Sequence, residues 1–183
     1  VHDVAERETP HLYSYLTGPE YLTLVGRLRH ISEALLEHKV DRFLELFGLG
    51  ASRYSPLSAY SKGMRQKVLI MAALLHNPDL VILDEPSSGL DVSATLVLRE
   101  LIRELAEDGK VVLYSSHVLE RVEQVCSSVV ILREGEVVAS ESVSRLRQLM
   151  EKPSLEEVFT KLAVREDARE IAEQIAATMR LEA

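Results

Sequence analysis

The chain has 183 residues, 46% of them apolar, enough for one buried core with a possible subdomain. Acidic side chains number 29 against 21 basic ones, a net charge of −8, which argues against nucleic acid as a partner because that needs a positive footprint. No apolar run approaches the ~20 residues that span a bilayer. Cys126 is alone, which rules out an internal disulfide framework and fits a structural residue in a reducing compartment.

Three regions follow along the chain. Residues 1–57 read as loop and helices. Thr17 can cap a helix beginning Gly18-Pro19-Glu20, with Pro19 tolerated in the first turn. Tyr21, Leu22, Leu24, Val25 and Leu28 form its apolar stripe. A second helix is expected from about Glu33 to Phe47, ended by Gly48 and Gly50, with Val40, Phe43, Leu44 and Phe47 on its core side. Residues 58–140 alternate helix and strand: a helix from Ser61 to Leu75 and a strand at Leu80–Asp84, a helix from Val92 to Ala106 and a strand at Val111–Tyr114, a helix from Val118 to Val125 and a strand at Val129–Leu132. Short apolar strands between helices predict a parallel sheet with right-handed crossovers, an α/β fold. Arg133-Glu134-Gly135-Glu136 predicts a hairpin turn, with Val137–Ala139 returning antiparallel. Residues 141–183 read as a charged helical extension. Leu146, Leu149 and Met150 mark one helix, and Ser154 with Glu157 opens another as a capping box. Ile171, Ala172, Ile175 and Met179 make one side of a last amphipathic helix between Arg165 and Leu181.

The chemistry concentrates at Leu80-Val81-Ile82-Leu83-Asp84-Glu85-Pro86. Four apolar residues read as a buried strand, and two carboxylates stand at its C-terminal end. Desolvating a carboxylate is unfavourable unless something compensates, and the carboxyl edge of a parallel sheet is where α/β proteins bind ligands. A magnesium ion on Asp84 and a water beside Glu85 would give the two acids separate tasks, the acidic half of a phosphoryl-transfer site. The plainer alternative is a strand end with two solvated acids. Upstream, Ser61 can cap the helix that follows it, and Gly63 allows close backbone approach. A helix N-terminus of this kind suits a phosphate. Downstream, Ser87-Ser88-Gly89-Leu90-Asp91 is a tight turn into another helix, and Tyr114-Ser115-Ser116-His117 ends the next strand. Taken singly, Ser61 and Asp91 can be helix caps only, and His117 a polar residue opening a helix.

In this order the four segments resemble the ATP-binding subunit of ABC transporters. Tyr60-Ser61-Lys62-Gly63-Met64-Arg65-Gln66 is similar to that family's signature segment, with Lys62 at its second glycine position and Met64 at its usual glutamine position. Leu80 to Glu85 resembles the Walker B strand with its catalytic glutamate, Ser88-Gly89-Leu90-Asp91 the loop that crosses the dimer interface, and His117 the switch histidine. The likeness runs from about residue 8 to residue 162. Leu155-Glu156-Glu157-Val158-Phe159 resembles the tail of the family's exporters.

The resemblance implies a P-loop NTPase-type parallel sheet with a helical subdomain and a helical C-terminal tail. It implies ATP and magnesium as cofactors, a second nucleotide-binding domain bound head to tail, a transmembrane permease partner, and a peripheral place on the cytoplasmic face of the membrane. Asp84 and Glu8 would belong to the magnesium shell, Glu8 standing where the family carries Gln or Glu, with Glu6 as the fallback. Glu85 would polarise the attacking water and His117 would contact the γ-phosphate. Ser61 and Gly63 would serve the γ-phosphate held by the partner, and Asp91 would couple the two sites. Leu12, Tyr13 and Tyr15 are candidates for the permease contact. No Gly-x-x-x-x-Gly-Lys-Ser/Thr occurs: the only Gly-Lys pair is Gly109-Lys110, at a turn into a strand. The fold is therefore expected to be incomplete, a fragment or a domain cut from a longer protein, inactive alone. A scaffold or regulatory partner without catalysis, or a non-transport ATPase of the same superfamily, are the alternatives.

Overall fold

The computed structural model describes residues 13–150, 154–163 and 168–179. The chain divides into two compact units, Val1–Ser115 and Ser116–Ala183.

In the first unit, helix α1 spans Gly18–Leu28 and α2 spans Glu33–Leu46. Thr17 and Glu20 form a reciprocal capping box: the Glu20 amide donates to the Thr17 hydroxyl, and the Thr17 amide donates to the Glu20 carboxylate at 2.8 Å. That carboxylate is held below its usual pKa, first by the Thr17 backbone hydrogen bond and then by the Thr17 hydroxyl. Two 3₁₀ turns, Gly50–Ser52 and Leu57–Ala59, lead to helix α3, Lys62–Leu74. Leu22 of α1, Leu36, Val40 and Leu44 of α2, and Val68 and Met71 of α3 are buried together with Leu57, Tyr60 and Leu75. The stripe expected on α1 is core at Leu22, whereas Leu28 at its end is exposed.

Two lysines join α2 and α3 end to end. Lys39 Nζ donates to the Leu75 carbonyl at 2.8 Å, and Lys67 Nζ donates to the Phe47 carbonyl at 3.0 Å. Each cation thus meets the negative C-terminal end of the other helix, where orphan carbonyls need donors.

Strand β1, Leu80–Asp84, pairs in parallel with β2, Val111–Ser115, and helix α4, Val92–Glu107, lies between them in sequence. The register runs from Leu80 opposite Val111 to Asp84 opposite Ser115. The expectation of a buried strand needs correction. Val81 and Leu83 are buried, but Leu80 and Ile82 are 53% and 62% exposed, as are Val111 and Leu113 at 63% and 60%. Side chains alternate across a strand, and among the described residues only one face of this ladder is covered.

The second unit holds α5 (Leu119–Val125), β3 (Ser128–Arg133), β4 (Glu136–Ser142), α6 (Val143–Met150), α7 (Leu155–Ala163) and α8 (Ala168–Met179). The expected hairpin is present: Glu134 and Gly135 both have positive φ, 52° and 83°, the twist that a two-residue turn between antiparallel strands requires. The described pairing of β3 is with β4 alone, and the parallel ladder described for β1 ends at β2. A two-residue loop gives β3 a partner at low closure entropy. Val129, Ile131, Val143, Leu146, Leu155 and Val158 are buried in this unit. Glu123 ties it together, pairing with Arg147 at 2.7 Å and accepting from the Leu155 amide at 3.2 Å. The Glu157 amide donates to Ser154, the expected cap of α7. Ile171, Ile175 and Met179 of α8 are exposed.

Candidate functional site

The acidic pair stands where the parallel ladder ends. Asp84 is the last residue of β1 and is exposed, and Glu85 is half-buried. The Ser115 hydroxyl donates to Asp84 Oδ1 in a short hydrogen bond. The Glu85 amide donates to the Ser115 carbonyl at 3.2 Å and to the Ser115 hydroxyl oxygen at 3.3 Å. Glu85 has φ of +43°, a left-handed conformation uncommon for a residue with a side chain. It turns the chain sharply out of the strand, with Pro86 and Ser87 buried behind it and the Ser88 amide donating to the Glu85 carbonyl at 3.0 Å.

Ser61 is placed by Tyr60. That ring is buried, and its hydroxyl donates to the Ser52 carbonyl at 2.8 Å. Burial pushes the phenol pKa up. The Arg65 guanidinium donates back to the Tyr60 carbonyl. With its neighbour so held, Ser61 caps α3: its oxygen accepts from the Met64 amide at 3.2 Å. The capping role thus exists, and it leaves the Ser61 O–H proton free to donate, since a hydroxyl is both acceptor and donor. The first-turn amides of α3 are of the kind no intrahelical bond satisfies.

Gly63 does make a close backbone approach, to the neighbouring turn of the same chain. A Cβ at position 63 would stand 2.4 Å from the Gly89 carbonyl oxygen, and one at Gly89 would meet Lys62 Cγ at 2.8 Å. Gly89 itself has φ of +78°. The signature-like segment and the Ser88-Gly89-Leu90-Asp91 turn are therefore in direct backbone contact. Asp91 then caps α4, its Oδ1 accepting from the Ala94 amide at 2.8 Å.

His117 belongs to the second unit, two residues beyond β2, and takes part in an interaction of its own. Glu8, Glu6 and Leu12 lie outside the described residues. Tyr13 and Tyr15 are exposed and meet edge to face, with ring centroids 6.1 Å apart. A cavity of about 210 Å³ lined by Phe47, Lys67, Ile70, Leu90, Asp91 and Val97 holds neither Asp84 nor Glu85. It is also below the ~300 Å³ at which ligand pockets begin.

The residues present fit a hydrated divalent cation and a phosphate. No cluster of three or more metal-binding side chains occurs among the described residues. Magnesium needs none, because it is commonly held by one or two carboxylates with phosphates and water. Asp84 offers such a carboxylate, one oxygen already oriented by Ser115. The capped start of α3 offers amides, a hydroxyl proton and the positive end of a helix dipole. Sequence reasoning passed over Ser115 and the Gly63–Gly89 contact. The signal for the first was the equal length of the two apolar runs, whose ends come opposite each other in a parallel pairing.

Comparison with known proteins gives likenesses to one family. A family profile described as ABC transporter matches residues 6–88. The chain is 34% identical over 154 residues to the ABC transporter ATP-binding protein NatA of Bacillus subtilis, covering 84% of this chain and 63% of that one. It is 37% identical over 142 residues to the bacitracin transport ATP-binding protein BcrA of Enterococcus faecalis, covering 77% and 45%. A solved structure described as the ATP binding subunit of an ABC transporter superposes with a TM-score of 0.78 at 38% identity, covering 85% of this chain and 66% of that one. The chain thus spans less than two thirds of the length of these curated relatives. Motif order, parallel ladder and these likenesses agree: the chain matches part of the ATP-binding subunits of the ABC transporter family.

Proposed function

We propose that the chain is part of a magnesium-dependent ATPase that powers an ABC-type exporter. The observation that carries this reading is the pair Asp84–Glu85 at the open end of a parallel ladder, with the capped helix start at Ser61 in the same unit. Magnesium, when bound, supplies charge neutralisation for the phosphates. Asp84 holds it, directly or through water, with Glu8 as a second candidate. Glu85 orients the attacking water and accepts its proton. Ser61 donates its hydroxyl proton, and the first-turn amides of α3 are offered, to the γ-phosphate held by a second nucleotide-binding domain bound head to tail. His117 contacts the γ-phosphate of the nucleotide held by its own chain. Asp91 couples the two sites through the turn that Gly63 already touches. Catalysis is then positioning plus preorganised charge.

The export direction rests on the tail around Leu155–Phe159, which resembles that of the family's exporters. A permease subunit would complete the assembly, with the chain peripheral on the cytoplasmic face and Tyr13 and Tyr15 toward the membrane partner. No described helix is long and apolar enough to cross a membrane.

Glu85→Gln tests the mechanism in the intact natural polypeptide. Turnover is expected to fall by about 10²–10⁴-fold while ATP binding persists and the dimer is trapped. Substantial steady-state hydrolysis by that variant would remove Glu85 from the role. A second reading rests on the lack of Gly-x-x-x-x-Gly-Lys-Ser/Thr in these 183 residues: the chain would present Ser61 and Gly63 to another subunit without hydrolysing ATP itself. ATP-dependent pairing with an intact subunit, unaffected by Glu85→Gln, would favour it.

A further inference from the structure

We propose that Ser115 is the positioning residue of the acidic pair. This rests on the reading of Asp84 and Glu85 as magnesium carboxylate and catalytic base. One hydroxyl does two things here. Its proton goes to Asp84 Oδ1, and its oxygen accepts from the Glu85 amide at 3.3 Å. The Ser115 carbonyl accepts from the same amide at 3.2 Å. The result is a chain of hydrogen bonds from the Glu85 N–H through the Ser115 O–H to the Asp84 carboxylate, in which each bond polarises the next.

The arrangement answers two needs at once. Asp84 is exposed at a strand end, where nothing in the ladder itself selects a rotamer for its carboxylate. Glu85 sits at φ of +43°, a conformation that persists only where the surroundings over-determine it. Ser115 lies directly opposite Asp84 in the parallel register and can reach both from a rigid strand. Alanine at this position would leave the carbonyl contact and remove both hydroxyl bonds. Threonine would keep the hydroxyl on a side chain that suits a strand.

The test compares Ser115→Ala and Ser115→Thr in the intact natural polypeptide by two readouts. The first is amide hydrogen exchange at Glu85 in nucleotide-free protein. Loss of one of two acceptors is expected to speed it about tenfold in S115A, with the amides of Val81 to Leu83 within about twofold of wild type. The second is the magnesium concentration giving half-maximal ATP hydrolysis, expected to rise about fivefold in S115A, because a carboxylate free to rotate binds the cation less well. S115T is expected to restore both. Unchanged Glu85 exchange in S115A would overturn the proposal. So would acceleration throughout the β1–β2 ladder with S115T no better, which would assign Ser115 to general packing. An unshifted magnesium requirement beside altered exchange would overturn the link to the metal. A wild-type protein without ATP turnover would sink the proposed function instead, and the exchange readout would still decide whether Ser115 holds the pair.

Discussion

Gly63 shows how a residue can be read correctly in kind and incompletely in place. Its motif position points to a close backbone approach, and the approach seen is to the Gly89 carbonyl, 2.4 Å from where a Cβ would sit. Gly63→Ala should displace the 85–91 turn and lower stability by about 1–3 kcal/mol, the usual range for overpacking. Chemical denaturation measures it, and an unchanged midpoint would mean that the turn slides aside freely. His76 carries a second prediction. Burial, then the charges of Arg29 and Lys39, lower its pKa, and its Nδ1 is buried without a partner among the described residues. The unfolded chain therefore binds a proton here more readily than the folded one. The stabilisation is present above the ordinary histidine pKa of about 6.5 and is lost as pH falls through the depressed folded value. His76→Gln should flatten the decline in stability between about pH 7 and pH 5; an identical pH profile would contradict this. Neither effect is legible in one dimension, because each depends on atoms from distant segments meeting in space.

Elements were more readable than contacts. Thr17 and Glu20, Ser61, Asp91 and Ser154 all cap helices as their spacing suggested, since a cap is satisfied within one turn of its own chain. Thr17→Ala should cost about 1 kcal/mol, measurable by urea titration. A loss near zero would show that the Thr17–Pro56 bridge, an isolated pairing between distant segments, fixes the entry of α1 unaided. The hairpin at Glu134-Gly135 was equally local. The strand Leu80–Asp84 was placed correctly and its burial was not. A run of four apolar residues looks the same whether one face is covered or both, and which face α3 and α4 cover depends on how they return to the strands. The Lys39 and Lys67 cross-caps were likewise invisible, as they span 36 and 20 residues.

At the scale of the molecule, the face of the β1–β2 ladder that the described residues leave uncovered is the most consequential result. Leu80, Ile82, Val111 and Leu113 place apolar side chains together on it. Contiguous apolar exposure of this sort marks a surface that associates. The 183-residue chain on its own should therefore bind a hydrophobic dye such as ANS. Ile82→Lys with Leu113→Lys should weaken that binding several-fold, as charges replace the centre of the patch; dye binding that ignores both substitutions would locate the exposed surface elsewhere. Family membership follows from the linear order of signature-like helix start, acidic strand, small-residue turn and histidine, because these short motifs each carry their chemistry in consecutive residues. The sequence by itself thus determined the family, the elements and their caps. Only the tertiary structure decided that Ser115 holds the Asp84 carboxylate and the Glu85 amide, that Gly63 touches Gly89, and that the described residues cover one face of the ladder. Those facts belong to pairs of residues far apart in the chain, and the register and packing that unite them arise from folding as a whole.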